Sequence, residues 1–372
     1  MSVRLFEPLH LDALALDNRI LIAPMCQYSA TAGEASDWHM MHLGQLAMSG
    51  AALLTLEATA VSPEARITDW DLGLYSDGCE RALARVLDAI NEYAPIPTCI
   101  QLAHAGRKAS SKAPWAGGAQ IAPESPHGWR TEAPSAIPHG ESEVPPHALS
   151  ISDLKRIRDD FVASTKRAMR LGIDAVELHG AHGYLLHQFL SPLSNQRTDA
   201  YGGSLENRMR FPLEVFDAVR DVVPAGKPVW LRVSATDWVE DGWSLDETIA
   251  FAQALKARGA AAIHVSSGGL SSQQKIALGP GYQVPFAERI KAETGLTTIA
   301  VGLITEPRQA EAILAEGRAD AISLARAMLY DPRWPWHAAA ELGAEVRAPK
   351  QYWRCQPREF KSLFKDTQFG QR

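Results

Sequence analysis

The chain is short of cysteine: it has four, Cys26, Cys79, Cys99 and Cys355, with no C-x-x-C pair. That is too few and too scattered for a disulfide scaffold or a zinc ribbon, and it points to a reducing compartment, the cytoplasm. Long hydrophobic runs are also missing. The most apolar stretch, Ala51 to Ala60, is interrupted by Glu57 and is about half the ~20 residues a membrane span needs. Arg4, Glu7, Asp12, Asp17 and Arg19 break up the N-terminal region, so no signal peptide is expected. Nor is there an excess of positive charge. With 37 Lys and Arg against 43 Asp and Glu, the net charge is −6 with histidine neutral, which argues against a protein that binds nucleic acid by neutralising phosphates. What remains is an ordinary globular mixture, 46% apolar and 22% charged over 372 residues. It is rich enough for a large core and excludes intrinsic disorder as the main state.

Eight short β-branched or apolar runs recur: Ile20 to Met25, Ala52 to Thr59, Thr98 to His104, Ala175 to His182, Val229 to Ala235, Ala262 to Ser267, Thr298 to Leu303 and Ala321 to Ala325. Amphipathic segments lie between them, such as Ser152 to Leu171, closed by Gly172, and Leu245 to Arg258, closed by Gly259. Strands buried on both faces and alternating with helices imply a parallel sheet, and eight such units close most economically into a (β/α)8 TIM barrel. A doubly wound sheet would offer a G-x-G-x-x-G turn after the first strand. The sequence there reads CQYSATAG. The expected architecture is one α/β domain over 1–372, with the barrel at about 20–332 and a C-terminal extension at 333–372 that caps it or reaches a neighbouring subunit. The Gly-, Pro-, Ser- and His-rich segment from Gly106 to Pro146 follows the third strand. It is too long for an ordinary βα loop and is expected to arch over the barrel mouth.

Barrel chemistry sits at the C-terminal ends of the strands, which here carry Cys26, Ala58, Gln101, His179 with His182, Arg232, Ser267, Gly302 and Arg326. The set lacks the paired carboxylates of a glycosidase and the carboxylate cluster of a magnesium site, and offers hydrogen-bond donors instead. In His179-Gly-Ala-His182-Gly-Tyr184, two imidazoles can bind a substrate oxygen while Tyr184, a phenol neutral at pH 7, delivers a proton. The alternatives are packed structural histidines, or a metal pair lacking an obvious third ligand. The ends of strands seven and eight, around Gly302 and Arg326, suit a phosphate; the bland reading is a tight turn and a surface arginine. Arg232 emerges from a buried strand and needs an anionic or strongly accepting partner. Cys26 alone reads more readily as a packed hydrophobe than as a nucleophile.

These residues resemble the Old Yellow Enzyme family of FMN-dependent ene-reductases along nearly the whole chain. The resemblance is carried by Ala23-Pro24-Met25-Cys26, Gln101-Leu-Ala-His104-Ala-Gly106-Arg107-Lys108, His179-Gly-Ala-His182-Gly-Tyr184 and, most specifically, Asn195-Gln-Arg197-Thr198-Asp199-Ala-Tyr201-Gly202-Gly203-Ser204-Leu-Glu206-Asn207-Arg208-Met-Arg210-Phe211. Cys26, and histidine at 182, point to the bacterial thermophilic-like subgroup. The resemblance implies tightly but non-covalently bound FMN held by Ala23, Pro24, Met25, Cys26, Ala58, Gln101, Arg232, Gly302, Ala325 and Arg326. It also implies NADPH or NADH as reductant and activated alkenes, α,β-unsaturated carbonyl or nitro compounds, as substrates. Hydride would pass from flavin N5, with His179 and His182 on the substrate oxygen, Tyr184 as proton donor and no metal. Tyr28 would add a second phenol. Trp353 and Arg354 match an aromatic and an arginine that line the subgroup's site, the arginine from a neighbouring subunit, so a homodimer or homotetramer is expected. Eighteen residues follow Arg354, a departure from the subgroup's pattern. The competing readings are another flavin barrel, such as a dihydroorotate dehydrogenase or a tRNA dihydrouridine synthase, and a metal-dependent hydrolase using His179 and His182.

Overall fold

A computed structural model describes residues 3–368 of the chain. Its centre is a closed barrel of eight parallel strands: β1 (Ile20–Ile22), β2 (Leu53–Ala60), β3 (Thr98–Ala103), β4 (Ala175–Gly180), β5 (Val229–Ser234), β6 (Ile263–Ser266), β7 (Thr298–Ala300) and β8 (Ala321–Leu324). Each lies within a run marked by the sequence except β2, which extends one residue further to Ala60, and the strands neighbour one another in chain order, β8 closing on β1. This is the (β/α)8 arrangement. No helix among the described residues is long and apolar enough to cross a membrane.

Serine side chains start most of the long outer helices. Ser76, Ser150, Ser204 and Ser244 each accept a hydrogen bond from a first-turn backbone N–H, satisfying a donor that has no partner within the helix. The third-unit helix therefore begins at Ile151, after Ser150, and not at Ser152, because Ser150 is the cap and Asp153 bonds back to its N–H. β1 ends at Ile22, short of Met25, because Pro24 has no N–H to continue the ladder. β7 ends at Ala300 and the chain turns through Gly302 at φ 118° and Leu303 at φ 50°. That turn takes backbone out of the sheet at the mouth.

Inside the barrel, the floor is apolar. Leu21, Leu53, Cys99, Ala175 and Trp230 pack there with Leu9, Leu11 and Leu16 of an N-terminal hairpin that plugs the bottom. Above the floor, the inward positions become polar, including Gln101, Glu177, His264 and Arg232, all nearly inaccessible to solvent. The segment after β3 spans the mouth as expected. Arg107 donates to the carbonyls of Ile137, Pro138 and Leu270, tying this segment to the loop after β6.

Candidate active site

The end of β4 sets the geometry. Its backbone continues through Ala181 to His182, which takes φ 59°, and Gly183, φ 75°. A Cβ at Gly183 would come within 2.3 Å of the Gly269 carbonyl oxygen, so only glycine fits there. Lys108 Nζ donates to the carbonyls of His182 and Gly269, both at 2.8 Å, and holds the two loops together. The result is a compact set of rings. His179 meets His182 edge-to-face at 5.1 Å between centroids and Tyr184 at 4.8 Å, while the Lys108 ammonium lies 5.2 Å from the Tyr184 ring centroid.

Electrostatics keeps the three rings neutral. Burial, and then the nearby Arg232 charge, push His179 and His182 well below the ordinary imidazole value. Burial together with Cys26 and Tyr28 pushes Tyr184 well above the ordinary phenol value. Burial likewise raises the Cys26 thiol, which disfavours the thiolate a nucleophile requires. Cys26 packs with Tyr184, Trp129 and the small cluster around Ile67. Tyr28, at φ 50°, stands edge-to-face against Trp115 of the mouth-spanning segment at 5.5 Å.

The expected cofactor residues gather around the same mouth. Ala58 follows a bulge in the β2–β3 register, Gln101 and Arg232 sit on inward positions of β3 and β5, and Gly302, Ala325 and Arg326 follow β7 and β8. Arg232 is 7% exposed and its Nε is buried with no hydrogen-bond partner. Leaving a buried guanidinium nitrogen unsatisfied is costly, so this position fits a ligand with an accepting edge. At the other side of the mouth the exposed Arg326 cation follows the Gly302 turn, a donor set that suits a phosphate. The residues present therefore fit FMN, which Arg232 and Arg326 would help to hold. Among the described residues no three His, Cys, Asp or Glu side chains form a metal-binding group.

Two expected residues are not at this site. Trp353 and Arg354 lie on a 3-10 turn, Lys350–Cys355, where Trp353 packs with Trp336, Val346 and Phe364. Trp353 also lines a cavity shared with Ala52 and Pro97, at the starts of β2 and β3. They are thus at the opposite end of the barrel from their own chain's mouth, because the extension folds back against the helix Trp334–Leu342. The long Asn195-to-Phe211 motif is also set back from the rings. Asn195 donates to the carbonyls of Phe189 and Tyr201, Arg197 donates to those of Pro134 and Leu149, and Arg208 pairs with Glu247 across Trp243. These residues brace the loops around the site.

Two of the four carboxylates buried among the described residues, Glu57 and Glu177, bear on the site and were not among the expected residues. Glu57, at the β2 bulge, accepts from the Gln27 N–H at 3.1 Å and faces His39 at 3.6 Å. Burial raises Glu57 to about 8 and lowers His39 to about 4, so both are neutral at pH 7 beneath the Cys26–Tyr28 loop. The interruption of an apolar run by Glu57 was the available signal. Because the folded state binds this proton more tightly than the unfolded chain does (ordinary value 4.5), Glu57 costs stability as pH climbs from about 4.5 toward about 8. The slope is at most about 1.4 kcal/mol per pH unit. Glu57→Gln keeps the acceptor and removes the titration. Its Tm relative to the parent is expected to be higher at pH 8 than at pH 5; equal differences at both pH values would contradict the assignment. The second carboxylate, Glu177, shares the inward face of β4 with His179 two residues on. That period-two spacing was the readable clue.

Barrel, mouth and donor set together define a flavin oxidoreductase. A family profile described as NADH:flavin oxidoreductase / NADH oxidase matches residues 4–345. The NADPH dehydrogenase of Geobacillus thermodenitrificans is 42% identical over 356 residues, covering 95% of this chain and 99% of that one. The NADPH dehydrogenase of Bacillus subtilis is 41% identical over 356 residues, with coverages of 95% and 99%. Among solved structures, morphinone reductase superposes with a TM-score of 0.76 at 29% identity, covering 92% of this chain and 90% of its own. The chain belongs to the NADH:flavin oxidoreductase / NADH oxidase family, that of Old Yellow Enzyme. It is an NAD(P)H-dependent flavin oxidoreductase, with FMN as its cofactor.

Proposed function

We propose that the protein is an ene-reductase that draws on NADPH to reduce C=C bonds activated by a carbonyl or nitro group. The observation that carries this reading is the trio of neutral rings, His179, His182 and Tyr184, packed edge-to-face beside a buried, unsatisfied Arg232. FMN, when bound, would supply the redox chemistry, carrying hydride between the nicotinamide and the alkene. In this reading Ala23, Pro24, Met25, Cys26, Ala58, Gln101 and Arg232 would hold the isoalloxazine, and Gly302, Ala325 and Arg326 would take the phosphate.

The histidines bind and polarise the substrate oxygen. His179 Nδ1 accepts from the Ala181 N–H at 3.3 Å, which places its ring proton on Nε2, free to donate. His182 Nε2 lies 2.7 Å from Ser266 Oγ, so His182 donates to substrate from Nδ1 when Ser266 donates its hydroxyl proton to Nε2. Two N–H groups then stabilise the negative charge that develops on that oxygen. Tyr184 protonates the α-carbon from the face opposite the incoming hydride, which gives net trans addition, and Tyr28 offers a second phenol to the oxygen.

An anaerobic visible spectrum tests the reading. Flavin bands should bleach on addition of NADPH and return with 2-cyclohexenone. Bleaching without return would sink the alkene assignment while leaving a flavoprotein, and a chain that takes up no FMN would overturn the site as a whole. Within the same proposal the enzyme is a homodimer or homotetramer in which Arg354, exposed and remote from its own mouth, enters a neighbouring site. Truncation after Pro349 should then raise KM for alkene and reductant and lower the oligomeric mass. Unchanged values of all three would refute it.

A further inference from the structure

We infer that Glu177 is the positioning and charge-balancing residue of the cofactor site, fixing the orientation of the Gln101 amide and offsetting the buried Arg232 cation. The inference rests on the reading that Gln101 and Arg232 hold the flavin.

Glu177 is 1% exposed, one level below the site rings on the inward face of β4. Both of its oxygens are occupied. Oε1 accepts from Gln101 Nε2 at 2.7 Å, and Oε2 accepts from Trp230 Nε1 at 2.7 Å and from His264 Nδ1 at 2.8 Å. Burial alone would raise its pKa, but His264, Arg232 and the Trp230 donor outweigh that and hold it down to about 2. His264 itself is pushed down by burial and by Arg232. Glu177 is therefore a carboxylate that accepts from the Nδ1–H of His264.

Two consequences follow from an acceptor-only group at this place. A carboxylate can face only the NH2 end of an amide, so Gln101 cannot flip, and its Oε1 is left to accept from a ligand N–H. The second consequence is electrostatic. Arg232 and Glu177 form a near-neutral couple within the lumen, since His179 pairs with Arg232 in the β4–β5 register and Glu177 lies two residues before it. Burying a lone guanidinium is expensive, and the carboxylate offsets that cost. It also moderates how strongly Arg232 favours negative charge on whatever is bound above it. The residue thus tunes the redox balance of the cofactor without touching substrate.

The test compares two variants as FMN holoenzymes, by anaerobic potentiometric titration and by FMN dissociation constant. Glu177→Gln removes the charge and keeps the size. Its midpoint potential is expected to move positive by enough to change the oxidised-to-reduced ratio at fixed potential at least tenfold, about 30 mV for a two-electron couple. Glu177→Asp keeps the charge but loses the reach to Gln101. It should leave that ratio within about threefold of the parent while weakening FMN binding. A potential in Glu177→Gln that stays put or moves negative overturns the charge-balancing role, as does an equal shift in Glu177→Asp. Where Glu177→Gln does not fold, an FMN affinity in Glu177→Asp equal to the parent's overturns the positioning role. Gln101→Ala separates the underlying reading: if it binds FMN as tightly as the parent, the placement of the flavin is at fault and not the inference about Glu177.

Discussion

Tyr184→Phe is expected to slow alkene reduction by roughly 10²- to 10⁴-fold, the range a positioned general acid contributes, while NADPH still bleaches the flavin bands at the parent rate. The half-buried ring packs against His179 with the Lys108 ammonium over it, and desolvation with Cys26 and Tyr28 raises its pKa well above the ordinary phenol value, which keeps its proton on at all working pH values. Phenylalanine preserves the packing and removes only the proton. Stopped-flow measurement of the two half-reactions separates the effects. An equal loss in both would mean that the ring shapes the pocket and does not donate.

Replacing His179 and His182 with alanine is expected to weaken binding of simple phenols, which mimic the oxyanion of the polarised substrate, by about 10- to 100-fold per donor removed. Hydrogen bonds to a charged acceptor contribute on the order of 1.5–3 kcal/mol each. Burial and Arg232 lower both rings well below the usual imidazole value. Folded-state imidazoles that stay neutral make phenol affinity in the parent independent of histidine protonation between about pH 6 and 8. The readout is the perturbation of the visible spectrum on phenol titration. Undiminished affinity in the double variant would remove both histidines from the oxygen-binding role, and Ser266→Ala offers a finer cut, since of the two histidines only His182 touches Ser266, whose hydroxyl otherwise reaches Gln283 Oε1.

The eight strands and the residues that end them were legible because the signal is local. A parallel barrel strand is buried on both faces, so it reads as a compact apolar run, and chain order alone places its last residue at the mouth. The rings of His179, His182 and Tyr184 fall within six consecutive residues, so one tight turn assembles them. Strand limits were less legible. β1 stops at Ile22 because of what Pro24 cannot donate, and the third-unit helix starts where Ser150 caps it.

Sequence by itself determined the class of the protein: the strand–helix repeat, the mouth residues, and the motifs shared with flavin enzymes, all of which depend on neighbours in the chain. Tertiary structure alone decided which buried charges meet. Glu177 reaches Gln101 across 76 positions and His264 across 87, and no local pattern encodes such a contact. It exists only because the sheet closes on itself and brings three strands' inward faces to one level. The same closure leaves Arg232 buried and unsatisfied, and the folding back of the extension carries Arg354 away from its own mouth. Burial and long-range register are properties of the closed barrel, and they set the protonation states on which the chemistry depends.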